Sequence, residues 1–272
     1  MLQLADVNLI YDGGQPAARR VLTDIRLGLG RSGRIALGGV SGAGKSSLLV
    51  VMAGLLPPSA GSVIREPGLT TGLVLQEPEL ALFARTVADE LAFAPQQAGL
   101  TPDRVKAAIT NALADVGLPT SILACDPIHL PSDTKRLVAL AAVLTARPGL
   151  LLLDEPTVGL GAAARARVIG LIERFQGAVV VASHDLDLLW RTSTRLVLLR
   201  GGRIAYDGAW APLVSDPAPL HDAGLELPGP LQVLAGLRSR GWAPADPGRS
   251  EEDVAAAILA GWPENAWGGN GD

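Results

Sequence analysis

Gly39-Val40-Ser41-Gly42-Ala43-Gly44-Lys45-Ser46 fits the pattern G-x-x-x-x-G-K-[ST] of a phosphate-binding loop. Its glycines let the backbone turn tightly enough for N–H groups to point inward at one spot. A helix starting at Lys45 adds roughly half a positive charge there. Lys45 supplies a full charge for β- and γ-phosphates, and the Ser46 hydroxyl can ligand Mg²⁺. The expected nucleotide contacts are therefore Gly39, Ser41, Gly42, Ala43, Gly44, Lys45, Ser46 and the adjoining Ser47. An accidental glycine-rich turn is the alternative in a chain with 32 Gly among 272 residues. Lysine is scarce, however, and occurs only as Lys45, Lys106 and Lys135. The motif also lies between a strand-like Arg34–Leu37 and an apolar, helix-like Lys45–Leu56 closed by Pro57-Pro58.

Leu150-Leu151-Leu152-Leu153-Asp154-Glu155 reads as a buried strand that ends in two carboxylates. Adjacent acids leaving an apolar strand are costly unless a cation or water takes them up. Beside a phosphate loop, Asp154 is the expected Mg²⁺ partner and Glu155 the expected base for an attacking water. A strand that simply meets solvent is the plainer alternative. Two more apolar stretches end in polar groups: Gly72–Leu75 at Gln76, and Val179–Ala182 at Ser183-His184-Asp185. In sheets of this kind ligands sit beyond the carboxyl ends of the strands. Gln76 and His184, each unremarkable alone, are thus expected at one edge with the carboxylates.

The elements that would hold these groups are legible in outline. Residues 2–11 and 20–29 alternate apolar and polar, as antiparallel strands around a Gly13-Gly14 turn. Tyr11 ends the first of them. Its local sequence suits a half-buried strand aromatic, and a ring stacked on adenine is the functional alternative. Residues 84–147 read as helices, one beginning at Thr101-Pro102-Asp103 with Thr101 as cap and stopping at Gly117, another over Thr134–Ala146. A helix over Ala162–Phe175 and a hairpin of Thr194–Leu199 and Arg203–Tyr206 around Arg200-Gly201-Gly202 follow. Beyond Gly208, Pro and Gly increase. Short helices are expected near Pro230–Arg240 and Glu251–Leu259, the second with Ser250 and Asp253 spaced as a capping-box analogue, and Gly268–Asp272 should fray.

Composition narrows the class. Hydrophobic content of 48% supports a sizeable core, and with aromatics at 4% that core must be aliphatic. A net charge of −4 argues against a sequence-independent grip on nucleic acid. The single Cys125 excludes an internal disulfide and suits a reducing compartment. Asp6 interrupts any leader-like start, and the longest apolar runs, Leu48–Leu56 and Leu137–Ala146, fall well short of the ~20 residues a bilayer crossing needs. The chain should be soluble or held at a membrane by another protein.

Taken in order, the phosphate loop, strand-end Gln, helical insertion, Asp-Glu strand and strand-end His resemble the nucleotide-binding domain of ATP-binding-cassette (ABC) ATPases over about residues 2–208. Leu153-Asp154-Glu155-Pro156-Thr157 and Ala182-Ser183-His184-Asp185 match that family in sequence and spacing. The resemblance implies an α/β phosphate-loop NTPase core with an N-terminal antiparallel β subdomain, an inserted helical subdomain (about 84–147) and a partly helical extension (209–272). It also implies Tyr11 as the adenine-stacking residue, Gln76 as the Q-loop glutamine grouped with Ser46 and Asp154 around Mg²⁺, Glu155 as the catalytic base and His184 as the switch histidine. ATP and Mg²⁺ would be the cofactors.

Gln76-Glu77-Pro78-Glu79-Leu80-Ala81-Leu82-Phe83 and Thr86-Val87-Ala88-Asp89-Glu90-Leu91-Ala92-Phe93-Ala94-Pro95 look more narrowly like ATPase subunits of energy-coupling-factor (ECF) importers, including the cobalt and nickel type. Ala223–Pro228 resembles the region after the cassette in the same family. That implies a peripheral position at the cytoplasmic face of the membrane. The implied partners are a second ATPase subunit, a transmembrane coupling protein seated near Gln76–Phe83, and a substrate-binding membrane protein for a vitamin or metal ion. Two departures stand out. Where the family reads L-S-G-G-Q, this chain has Leu130-Pro131-Ser132-Asp133-Thr134, and where G-L-D follows the catalytic Glu it has Gly159-Leu160-Gly161. Both losses concern what a subunit offers across a dimer, so an unequal heterodimer is expected. An ATPase of another ABC subfamily, and a subunit that binds ATP without turnover, are the competing expectations.

Overall fold

The computed structural model describes residues 1–12, 18–239 and 248–261. Its centre is a six-stranded sheet built from β3 (Arg34–Gly38), β5 (Thr71–Val74), β6 (Leu150–Asp154), β7 (Ala178–Ala182), β8 (Arg195–Arg200) and β9 (Arg203–Gly208). The spatial order is β5-β6-β7-β3-β8-β9, parallel throughout except for the β8–β9 hairpin. Strands covered on both faces read as unbroken apolar runs, and β6 and β7 are buried at every position. Their side chains still alternate between two cores. Leu151, Leu153, Val179 and Val181 pack with the helical insertion, whereas Leu150, Leu152 and Val180 face the other side.

That other side is closed by α1 (Lys45–Ala53) and an antiparallel sheet of β1 (Leu2–Tyr11), β2 (Arg19–Leu29) and β4 (Ala60–Arg65), ordered β2-β1-β4. β1 and β2 pair as expected, while the Gly13-Gly14 turn lies outside the described residues. Helix α1 stops at Ala53 rather than Leu56. Gly54 at φ 76° donates its N–H to Val50 and Val51 carbonyls, so a left-handed glycine cap ends the helix before the prolines can.

The insertion carries α2 (Val87–Gln97), α3 (Pro102–Asp115) and α4 (Ser132–Thr145). Thr101 occupies the cap of α3 but makes no capping hydrogen bond through its side chain. The working cap is on α2, where Thr86 Oγ1 accepts the Asp89 N–H at 3.1 Å. After β6 come α5 (Ala162–Arg174) and, after β7, α6 (Leu186–Thr192). The extension holds more helix than expected among the described residues: α7 (Ala211–Ser215) and α8 (Ala218–Asp222) precede α9 (Gly229–Arg238) and α10 (Glu251–Gly261). Ser250 and Asp253 form reciprocal capping bonds at α10, at 3.0 and 3.1 Å. Arg240 and Gly268–Asp272 lie outside the described residues. Leu220, Leu227, Leu231 and Leu234 join the same core as the sheet's Leu151 and Leu153. Among the described residues no helix is long and apolar enough to cross a membrane.

Candidate functional site

The phosphate loop joins β3 to α1. Gly39 has φ 146°, and a Cβ there would stand 2.5 Å from the Leu199 carbonyl oxygen. Gly44 has φ 105°, with Leu22 and the Val21 carbonyl each 3.0 Å from where a Cβ would be. Both positions therefore require glycine. The turn is fixed by Ala43 N–H to Val40 O at 3.1 Å and Gly202 N–H to Ala43 O at 3.2 Å. Lys45 is buried at 8% exposure, and its Nζ donates to Gly39 O at 2.7 Å and Val40 O at 3.3 Å.

The register of β6 on β7 pairs Asp154 with Ala182, which sets the two strand ends side by side. Glu155 then turns off the sheet at φ 47°, an uncommon conformation for a residue with a Cβ, while its N–H still donates to Ala182 O at 2.8 Å. Its carboxylate is held from three directions. Ser183 Oγ donates to Oε2 at 2.7 Å, and Oε1 accepts the His184 N–H at 3.0 Å and lies 2.9 Å from His184 Nδ1. A carboxylate at Nδ1 selects the tautomer protonated there, which leaves Nε2 as an acceptor in the neutral ring.

Burial pushes the Asp154 carboxyl upward, and nearby Glu155 adds to this; the Ser46 hydroxyl and Lys45 oppose it. Burial likewise lowers Lys45, against the pull of Glu155 and Asp154. Asp185 behaves oppositely. Burial would raise it, but the Leu188 N–H and the Arg165 guanidinium outweigh that and hold it below the usual carboxylate range. Arg165 Nη2 lies 2.6 Å from Asp185 Oδ2, and Asp185 Oδ1 caps α6.

These groups surround a cavity of about 770 Å³. It is lined by Ser41, Gly42, Gly44, Lys45, Ser46 and Ser47 from the loop, by Asp154, Glu155 and His184 from the strand ends, and by Gln76 and Tyr11. Gly39 and Ala43 shape the loop without lining the cavity. Tyr11 is 40% exposed, and its OH reaches Ser47 Oγ at 3.3 Å, so the ring is a wall of this pocket rather than part of the core. Ser46 and Asp154 together present hard oxygen donors beside the loop. A second, apolar groove of about 710 Å³ runs behind Gln76, lined by Leu73, Leu75, Pro78, Leu80, Leu82 and Phe93. Gln76 and Asp154 belong to the walls of both.

Leu130–Thr134 leads into α4, with Pro131 at its cap position. Asp133 turns toward its own chain: Oδ2 accepts the Gly161 N–H at 3.1 Å at the start of α5, where Gly161 has no side chain to cap with. One turn on, Arg136 donates Nε to Glu79 Oε1 at 2.9 Å and Nη1 to Val158 O. Sequence reasoning missed these braces, the Ser183 bond to Glu155, and Leu225 from the extension, which also lines the nucleotide-sized cavity. Ser183 sat beside a recognised histidine, so its position was visible although its partner was not.

Residues 22–158 match the sequence pattern of the family described as ABC transporter. The cobalt import ATP-binding protein CbiO of Rhodobacter capsulatus is 35% identical over 265 residues, covering 91% of this chain and 94% of that protein. The energy-coupling factor transporter ATP-binding protein EcfA2 of Lactiplantibacillus plantarum is 33% identical, covering 96% of this chain and 95% of that one. Among solved structures, CbiO1 of Clostridium perfringens, part of the ABC transporter complex CbiONQ, superposes with a TM-score of 0.69 at 24% identity, over 88% of this chain and 98% of that chain. The dimeric post-hydrolysis cassette MJ0796 bound to ADP and Pi gives 0.69 at 21% identity, over 77% and 98%. These two show the fold.

Proposed function

The chain belongs to the ABC transporter family, as an ATPase of the ECF and cobalt-importer type, and from that premise we propose that it powers uptake of a vitamin or transition-metal ion from the cytoplasmic face of a membrane. The observation that carries this reading is the convergence of Lys45, Asp154, Glu155 and His184 on one cavity. ATP would lie along the phosphate loop with its adenine on Tyr11. Ser46 and Asp154, with Gln76 beside them, suit a small hard cation that keeps several waters, and the raised carboxyl of Asp154 is what such a cation would relieve. Mg²⁺ held by these residues would supply neutralisation of the phosphate charge.

Phosphoryl transfer asks the protein mainly for positioning and electrostatics. Water oxygen bonds to the γ-phosphorus as the β–γ bridging oxygen leaves, giving ADP and inorganic phosphate. Glu155 takes the water proton, His184 faces the γ-phosphate, and Lys45 offsets the charge on the phosphate oxygens. Ser183 holds the Glu155 carboxylate in place.

The second half of the site comes from a partner. In an ABC dimer each ATP lies between one subunit's phosphate loop and the other's signature. This chain's own loop is complete, whereas Leu130–Thr134 lacks both glycines, Pro131 removes an N–H donor, and Asp133 is engaged with Gly161. A heterodimer with a partner bearing an intact signature follows, with one strong and one weak site. The apolar groove beside Gln76 would receive the transmembrane coupling protein, which recruits the substrate-binding membrane subunit. The altered signature favours one other reading, a subunit that binds ATP without turnover; the complete Glu155–His184 pair opposes it.

Equilibrium titration of Mg-ATP onto the purified chain tests the nucleotide site. Wild-type binding and a loss of about a hundredfold in Lys45→Ala are expected from removing a buried charge at the phosphates. Equal binding by both proteins would contradict the assignment.

A further inference from the structure

The C-terminal extension reaches the nucleotide cavity through one turn. Helix α8 ends with Gly224 at φ 73°, where Leu225 N–H donates to Leu220 O and Gly224 N–H to His221 O, each at 2.9 Å. These are the paired bonds of a Schellman turn, in which the residue after the glycine packs back on the helix. Leu220 is fully buried, which anchors the turn. The turn delivers Leu225 into the wall of the cavity beside the phosphate loop. The fit is close: a Cβ on Gly224 would stand 2.9 Å from Val40 Cγ1, so a side chain there would strain the left-handed turn and press on the Val40 methyl.

The same segment is fastened at its far end. Gly229 N–H donates to Asp187 Oδ1 at 3.2 Å, in the first turn of the helix that follows His184. Gln232 Nε2 donates to Leu227 O at 2.7 Å, and Leu227 is buried with Leu231 and Leu234. Residues 224–229 therefore span from Val40 of the phosphate loop to the helix that follows the strand-end histidine.

We propose that Gly224-Leu225 forms a wall of the nucleotide site, and that nucleotide binding and docking of the C-terminal segment are thermodynamically coupled. A pocket complete only when the segment is docked binds the docked state more tightly, so ligand suppresses local opening of the segment. The inference rests on the nucleotide-binding reading above.

Amide hydrogen exchange of the full chain, with and without Mg-ATP, tests both at once. With Mg-ATP at ten times its Kd, exchange across 223–227 should slow by about three- to tenfold along with that of 39–46. Protection of 39–46 with no change at 223–227 would overturn the coupling and leave nucleotide binding standing. Protection of neither would overturn both. Gly224→Ala should weaken Mg-ATP binding by about three- to tenfold, because it strains the turn and pushes on Val40. Gly229→Ala is the control within the same segment, since nothing lies within 4 Å of its Cβ position. Equal affinity in both variants would contradict the proposal, and the exchange experiment on the unaltered chain does not depend on either variant folding.

Discussion

Glu155 and His184 are joined twice through one oxygen: Oε1 lies 2.9 Å from His184 Nδ1 and accepts the His184 N–H at 3.0 Å. They are 29 positions apart in sequence, on adjacent strand ends, and the β6–β7 register alone brings them together. Ser183, fully buried, completes the hold on the other oxygen at 2.7 Å. One consequence of that packing can be measured directly, and three further predictions concern the neighbouring aspartates, the Asp133 brace and the groove.

Ser183→Ala removes a buried donor and leaves Glu155 Oε2 and the Asp185 N–H without their partner. Stability should fall by about 1–3 kcal/mol. Turnover should fall by about tenfold with the KM for ATP nearly unchanged, since Ser183 positions Glu155 and does not line the cavity. A rise in KM at constant kcat would contradict that role.

Asp154 and Asp185 set opposite pH dependences. The raised Asp154 means that the folded chain holds a proton the unfolded chain has already lost. Its contribution therefore weakens as pH rises from about 4 through the raised value. Asp185 is lowered, so its contribution is complete above about pH 4 and is lost as pH falls through the folded value. Asp154→Asn should stabilise the nucleotide-free chain at neutral pH by on the order of 1 kcal/mol while weakening Mg-ATP binding. Asp185→Asn should flatten the acid limb of the stability profile. Denaturant melts between pH 3 and 7 check both signs.

Asp133→Gly removes the acceptor at Gly161 N–H. Loss of a capping carboxylate at the start of α5 should cost about 0.5–2 kcal/mol, read by denaturant unfolding. Asp133→Asn, which keeps an acceptor oxygen, should retain most of it. No loss in Asp133→Gly would mean that the brace does not hold in solution.

Phe83 is 65% exposed and stacks edge-on, at 5.0 Å, on Phe93, which lines the apolar groove. Phe83→Ala should abolish co-purification with the transmembrane partner while Mg-ATP affinity stays within about twofold, because the ring does not reach the nucleotide cavity. Unimpaired assembly would remove this groove as the docking face.

The strand-end groups were legible because each sits in a local motif: glycines with Lys45, a leucine run into Asp154-Glu155, valines into Ser183-His184. The two layers of core were not legible, because β6 and β7 are unbroken apolar runs and only the pleat of the folded strands divides their side chains between the two sides. What the sequence could not show depends on register or on distant packing. That Ser183 bonds Glu155 follows from how β6 lies on β7, and that Asp133 caps α5 follows from where α4 crosses the loop after Glu155. Leu225 lies 185 residues after Val40 in the chain, and no periodicity connects the two. The end of α1 was misjudged because Gly54 acts before Pro57. Thr101 carries the right residue type for a cap, yet its hydroxyl is not used.

The most direct test of the account is steady-state Mg-ATP hydrolysis by the purified chain, alone and mixed with an ATPase subunit of the same family that carries an intact signature. Activity confined to the mixture, and abolished by Glu155→Gln in this chain, is the expected result; it would place catalysis at this chain's phosphate loop and the completing signature on its partner. Brisk turnover by this chain alone would contradict the account, because Leu130–Thr134 would then be serving a homodimer despite Pro131 and Asp133.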